Sequence, residues 1–168
     1  MKLISPSKKY NKSFIVGMRE LIKESLHPEF LRAQIENFEK YLLNFSFNEK
    51  GEPVAIGKVP YSEYWLIDEE QYIGTIQIRH IPSGRDERIK SHIYFHIIPS
   101  KRQRGYGKKI LAMGLRKAKI LGIREVIVVC DKKNVPSKKI IESNGGIFTE
   151  EIVLTQDEVL RKYLIKIV

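Results

Sequence analysis

Ile93-Tyr-Phe-His-Ile-Ile-Pro-Ser-Lys-Arg-Gln-Arg-Gly-Tyr-Gly-Lys-Lys-Ile-Leu111 reads as a strand, a short basic glycine loop and the first turns of a helix. The strand is apolar and β-branched, and Pro99 closes it. The loop runs from Arg102 through Gln103, Arg104, Gly105 and Tyr106 to Gly107. The helix then places Ile110, Leu111, Gly114, Leu115, Ala118 and Leu121 on one face, while Lys108, Lys109, Arg116, Lys117 and Lys119 point elsewhere.

That junction has a definite physical chemistry. A helix N-terminus leaves backbone N–H groups unpaired and carries partial positive charge. Glycine lets the backbone approach a ligand closely, and a phosphate fits such a place. Arg102, Arg104 and Lys108 add mobile charge around it, so a diphosphate is the natural guest. A P-loop is excluded, because only Tyr106 separates the glycines and no Gly-Lys-Ser/Thr follows. The dinucleotide fingerprint is excluded too, because Ile110 stands where its third glycine belongs. The pattern that fits is R/Q-x-x-G-x-G/A, with Arg102, Gly105 and Gly107 in place. It resembles the pyrophosphate loop of the GNAT acyl-CoA N-acyltransferases. The competing reading is a plain strand–helix turn with solvated lysines.

A chain of 168 residues reads as one domain over 1–168, and 42% hydrophobic content suffices for a core. The net charge of +10 suits nucleic acid, a membrane surface or an anionic small molecule. The cations do not form one block: they gather around the glycine loop, on the outer face of its helix, and at Lys132, Lys133, Lys138 and Lys139. No aromatic-interleaved RNA motif and no Cys/His zinc spacing appears. Cys130 is the single cysteine, which excludes an internal disulfide, suits a reducing compartment and places Cys130 in a buried strand end. The first residues are too short and polar for a signal peptide, and no apolar run approaches the ~20 residues of a membrane span. A cytoplasmic protein is expected.

In chain order, Lys2 to Ser5 is a short strand, and Asn11 is a candidate cap for a helix ending near Ser25. Pro28 suits the first turn of a second helix running to about Leu43. Residues 44–58 read as a loop whose Phe45 and Phe47 pack beneath it or shape a substrate pocket. Tyr61–Ile67 and Gln71–Ile81 form a hairpin, with Gly74 allowing a bulge or a close approach. Ser91–Ile98 feeds the glycine loop, and Gly122 stops the helix. Residues 124–130 show little alternation, as a strand covered on both faces would. Another helix follows Asn134, and a closing hairpin spans Ile147–Leu154 and Val159–Ile167. The order β-α-α-β-β-β-α-β-α-β-β predicts an α/β fold, a mostly antiparallel mixed sheet of about seven strands with helices on both faces.

That order resembles the GNAT fold over nearly the whole chain. The family's N-x-x-A/S-x-x-x-Y-x-x-x-G-F pattern is met by Asn134, Ser137 and Gly145. Tyr64-Trp65-Leu66, Ile78-Arg79-His80 and Ser143-Asn144-Gly145-Gly146 resemble a branch of small bacterial GNAT proteins. Two positions depart: Ile141 replaces the tyrosine that protonates the leaving thiolate, and Gly146 stands where phenylalanine is common.

The resemblance implies an N-acetyltransferase in which an amine attacks acetyl-CoA directly, with no metal. Its partners would be acetyl-CoA and an amine substrate, with no membrane, no nucleic acid and room for a homodimer. The residues carried over for the cofactor are Ile97 and Ile98 for backbone bonds to pantetheine, Arg102, Gln103, Arg104, Gly105, Tyr106, Gly107 and Lys108 for the diphosphate, and Asn134 with Ser137 for the pantetheine arm. Asn134 reads equally as a helix cap. For the proton acceptor, His96 and His80 are the candidates, since imidazole titrates near neutral pH. Glu63 and Tyr163 rank below them. In strict alternation His92, Tyr94, His96 and Ile98 share a face. Arg79 either makes a structural ion pair or holds a substrate carboxylate. Two alternatives stand beside this reading: a CoA-binding protein with little catalysis, suggested by Ile141, and a basic nucleic-acid-binding module, suggested by the charge.

Overall fold

Seven strands and five helices make up the computed structural model, which describes residues 1–25, 28–49 and 59–167. The strands are β1 (Lys2–Ile4), β2 (Tyr61–Asp68), β3 (Gln71–Ser83), β4 (Ser91–Ile97), β5 (Glu125–Asp131), β6 (Ile147–Val153) and β7 (Val159–Lys166). The helices are α1 (Asn11–Glu24), α2 (Pro28–Glu36), α3 (Phe38–Glu49), α4 (Tyr106–Ile120) and α5 (Val135–Glu142). One sheet has the order β1-β2-β3-β4 and the other β5-β7-β6, and every pairing is antiparallel.

Alternation along the strands sorts the core into two layers. Tyr64, Leu66, Ile76, Ile78, Ile93 and Ile97 face α4 and join Ile110, Leu111 and Ala118. Gly114 makes the contact close, since a Cβ there would lie 2.2 Å from Ile76 Cδ1. On the other face Trp65, Ile67 and Tyr72 meet Phe14 and Met18 of α1 and Phe38 and Tyr41 of α3. Phe14 stacks on Trp65 at 4.4 Å, and Tyr72 stands edge-on to both rings.

Helices therefore cover both faces, as the sequence predicts. Several local expectations give way. Asn11 does not cap α1: Ser7 caps a preceding 3₁₀ turn, and the chain enters α1 through Tyr10. The stretch after Asn37 is a separate helix, so the second predicted helix is two, and its continuation to Glu49 replaces the start of the expected loop. The rest of that loop, residues 50–58, lies outside the described residues, as do the side chains of Phe45 and Phe47. β5 is covered fully on one face only: Val126 and Val128 are buried, while Ile127, Val129 and Cys130 are half-buried.

Gly74 does both things its position suggested. Leu66 pairs with Gly74 and Ile67 with Tyr72, so Ile73 is the extra residue of a β-bulge. The bulge reverses the alternation of β3 and turns Tyr72 onto the face of Thr75, Gln77 and Arg79. A Cβ on Gly74 would lie 2.2 Å from the carbonyl oxygen of His96 on β4. Gly74→Ala should cost about 1–3 kcal/mol, the usual penalty for overpacking, read from the shift in urea midpoint at unchanged slope.

Candidate active site

β4 and β5 touch through side chains rather than through a ladder. Ile127 N–H donates to His92 Nδ1 at 3.0 Å, and Ser91 Oγ donates to Ile127 O at 3.3 Å. Both bonds sit at the N-terminal end of β4. Toward the other end lies a cavity of about 510 Å³, floored by Phe95, His96 and Ile97 and walled by the glycine loop and the start of α5. His92, expected on a shared face with His96, is thus a structural tie between strands.

Gly105 enters α4 at φ +78°, a conformation that disfavours any side chain, and its carbonyl accepts from Lys109 N–H. Gln103 is also left-handed, at φ +59°. Gly107 packs close to α5, since a Cβ there would lie 2.4 Å from Ile140 Cδ1 and the Ile140 side chain would have to shift. The loop is anchored from α1. Arg102 Nη1 pairs with Glu24 at 2.6 Å, Arg102 Nε donates to Ile97 O, and Glu20 accepts from Ser100 N–H and Oγ–H.

Of the residues predicted for the cofactor, Ile97, Arg102, Gln103, Gly105, Gly107, Lys108, Asn134 and Ser137 line this cavity. Arg104, Tyr106 and Ile98 do not. Tyr106 reaches the other way and donates to Asp68 Oδ2 at 2.7 Å. Ile98 is buried against α1, its N–H donates to Ile73 O, and its carbonyl accepts from Lys101 N–H, so its backbone is already engaged. Asn134 caps α5 by accepting from Ser137 N–H at 3.0 Å while lining the cavity, so both of its readings hold. Sequence reasoning missed Lys101, Phe95, Pro136 and Ile140 in the lining. Ile141, expected beside the sulfur, is instead 0% exposed in the core with Tyr163 and Val128, and Ile140 takes the cavity position.

A second cavity of about 320 Å³ opens between α2 and the face of the first sheet that α1 and α3 also cover. Phe30, Leu31 and Gln34 form its outer wall; Glu63, Thr75, Gln77, Arg79, Tyr94 and His96 form its floor. His96 lines both cavities. Its Nε2 lies 2.9 Å from Tyr72 Oη, which also lies 2.7 Å from Thr75 Oγ1, and its Nδ1 is buried with no hydrogen-bond partner. Burial, helped by Arg102, pushes its pKa down to about 4, so it is neutral at pH 7. His80 lines neither cavity; its Nε2 meets Ser62 Oγ at 2.9 Å, and burial lowers its pKa.

Glu63, ranked below the histidines from sequence, holds the more telling position. It is 2% exposed, and burial raises its carboxyl to about 7. Tyr41 Oη and Gln77 Nε2 donate to its oxygens, and Trp65 Nε1 donates in turn to Tyr41 Oη. Those bonds favour the anion, but desolvation outweighs them. A carboxyl poised near neutrality in a cavity is suited to taking up a proton. Its signal in the sequence was faint, because the burial comes from Tyr41 on a helix 22 residues upstream.

The geometry has a family. The acetyltransferase (GNAT) domain family matches residues 19–147, and the chain belongs to it. Solved structures share the fold. The acetyltransferase yncA of Salmonella typhimurium, solved with acetyl-CoA, is 11% identical over 98% of this chain and 92% of its own, with a TM-score of 0.68. RimJ of Mycobacterium smegmatis, solved with a CoA disulfide, is 12% identical over 98% and 80%, with a TM-score of 0.71. A phosphinothricin N-acetyltransferase is 20% identical over 99% and 98%, with a TM-score of 0.61. No curated protein matches in a sequence search. No described helix is long and apolar enough to cross a membrane, and no cluster of metal-ligating side chains occurs among the described residues.

Two measurements follow from this geometry. Glu63 has a folded pKa of about 7 against an ordinary 4.5, so it supports folding fully below pH 4.5, and that support is lost as pH rises through 7. Glu63→Gln should therefore gain stability relative to wild type between pH 5 and pH 8, by on the order of a few kcal/mol in urea unfolding. An unchanged difference across that range would contradict the raised pKa. Ile141→Tyr should overpack the core and lower stability by about 1–3 kcal/mol in the same assay, instead of restoring an acid to the cavity.

Proposed function

We propose that the chain transfers the acetyl group of acetyl-CoA to a primary amine of a small molecule or peptide, by direct attack in a ternary complex. The observation that carries this reading is His96: one side chain forms the wall common to the phosphate-suited cavity and the second cavity. A thioester laid along β4 from the first would meet an amine entering from the second.

The diphosphate would sit on the first N–H groups of α4, with Arg102, Gln103 and Lys108 around it. The pantetheine arm would run past Ile97 toward the start of α5. There the Asn134 amide N–H₂ group and Ser137 are available, because the cap uses only Asn134 Oδ1. Amine nitrogen bonds to the acetyl carbon as the carbon–sulfur bond breaks, giving an amide and CoA thiolate. Glu63 accepts the amine's proton and solvent returns one to the thiolate. His96 stays neutral and shapes the meeting point. Neither His80, outside both cavities, nor the strand tie His92 is assigned to the proton transfer.

A second reading rests on the lining of the first cavity, which includes Phe95 and Ile140 but no tyrosine. With no acid beside the sulfur, thiolate departure is slowed, and acetyl-CoA would be held without efficient turnover.

Acetyl-CoA at a hundred times its Kd should stabilise the folded chain by about 2.7 kcal/mol, visible as a rise in Tm. No rise at millimolar acetyl-CoA would sink both readings. Thiol release with an amine panel separates them. If transfer occurs, log kcat/KM should rise with pH through about 7, and Glu63→Gln should lower the rate by about 10²–10⁴ while leaving acetyl-CoA binding intact. Gly105→Val should cost about 1–2 kcal/mol of stability through its left-handed backbone. It should weaken CoA binding as well, by placing a side chain at the phosphate approach, as calorimetry would show.

A further inference from the structure

The second cavity contains one carboxylate and one guanidinium, and they do not pair with each other. Glu63 stands opposite Gln77 in the β2–β3 ladder, and Arg79 lies two positions further along β3. That diagonal separates their backbones by about 7–8 Å. Glu63 is engaged by Tyr41 and Gln77, and no carboxylate pairs with Arg79 among the described residues. Arg79 is nevertheless half-buried and fixed in place. Its Nη1 donates to Ser91 O at 3.2 Å and to Ser83 O at 3.4 Å, bridging the break in register between β3 and β4. The Nε and Nη2 donors make no bond within the described chain, so a fork suited to a planar anion is left over.

A half-buried, positioned arginine with free donors suits an anion. Thr75 and His96, paired across β3 and β4, lie toward the cofactor cavity, and Glu63, opposite Gln77, stands in the row between them and Arg79. Phe30, Leu31 and Tyr94 add apolar lining. A cavity of about 320 Å³ has room for a molecule the size of an amino acid.

We propose that the acceptor is a zwitterionic small molecule of the amino-acid class, with its ammonium directed to Glu63 and its carboxylate held by Arg79. This rests on the transferase reading above and names its substrate class. In the step, the ammonium gives one proton to the Glu63 carboxylate, the freed amine bonds to the acetyl carbon as the carbon–sulfur bond breaks, and its second proton passes through solvent to the departing thiolate, giving the amide and CoA thiol. The carboxylate remains on Arg79 throughout and takes no part in bond making.

The test separates this proposal from the reading beneath it by measuring binding apart from turnover. The twenty amino acids and their C-terminal amides are titrated calorimetrically into protein saturated with CoA. The expected result is at least one amino acid that binds about tenfold or more tighter than its amide, a difference of about 1.4 kcal/mol. In Arg79→Gln that preference should vanish through weaker binding of the acid alone, and Arg79→Lys should restore part of it. CoA affinity should be unchanged in both. Equal binding of acid and amide to wild type overturns the proposal, and so does binding of no amino acid at all. An equal loss of both in Arg79→Gln assigns Arg79 to holding the β3–β4 break and overturns it too. Steady-state rates then decide the transferase reading: with a binding acceptor in hand, Arg79→Gln should raise KM for the acid with kcat little changed.

Discussion

β4 and β5 are fastened to each other at one end, and the site depends on their parting at the other. Each has its own antiparallel partner, β3 for one and β7 for the other. Between them stand the bonds of Ser91 and His92 to Ile127. A strand edge leaves N–H and C=O groups in search of partners, and proteins usually cover such edges. Here the open edges face a cavity. The chain must also cross from the end of β4 to the start of β5, and α4 makes that crossing. Its N-terminus therefore sits over the gap, and an anion-binding helix end and a slot for an extended arm come from one topological fact.

The second cavity depends on one extra residue. Without the bulge at Ile73, Tyr72 would point toward α4. With it, Tyr72 joins Phe14 and Trp65 and reaches His96 and Thr75 with its hydroxyl. Gly74 then lets β3 lie close against the His96 carbonyl. Truncating a buried aromatic of this kind typically costs 3–5 kcal/mol, whereas an exposed ion pair such as Arg102–Glu24 contributes about 0–1 kcal/mol. The floor of the second cavity is thus set by aromatic packing, while the glycine-loop side is held by surface charges that a ligand can rearrange.

Those magnitudes also explain what could be read from the sequence. The glycine loop was legible because a left-handed entry to a helix leaves a glycine at a fixed place, and Gly105 is that glycine. The bulge at Gly74 was legible on similar grounds, since local backbone geometry selects residue types; the hairpin was legible from its two apolar strands instead, because its turn residues Glu69 and Glu70 are left-handed without being glycine. Rotation of a helix about its own axis leaves no such mark. Motif spacing assigned Ile141 to the cavity, yet Ile140 faces it, because the fit of α5 against Gly107 and Gly146 decides which side turns in. Arg104 and Tyr106 are absent from the cavity lining for a related reason: Gln103 and Gly105 are left-handed and turn the chain between them. The ordering of Glu63 below the histidines reflects a third limit. Side-chain type suggests an intrinsic pKa, but burial by distant elements moved Glu63 up to about 7 and His96 down to about 4.

The +10 charge divides along the same structural lines. Cations remote from the glycine loop are largely spent on acids, as in Lys8–Glu39, Lys132–Glu151, Arg161–Glu151 and Lys162–Glu150. Around α4 the pattern changes. Lys109 lies over the Tyr106 ring and Lys117 over Tyr64, while Arg104, Lys108 and Arg116 make no ion pair among the described residues. Uncompensated charge beside the mouth of a cavity raises the local concentration of an anionic ligand and speeds its arrival, an effect that salt screens beyond about 8–10 Å. The second cavity is different: its histidine is neutral, its carboxyl is balanced near pH 7, and Arg79 is its one fixed charge among the described lining. The excess charge of the chain therefore acts on whatever approaches α4, whereas the second cavity presents a single guanidinium held by backbone carbonyls.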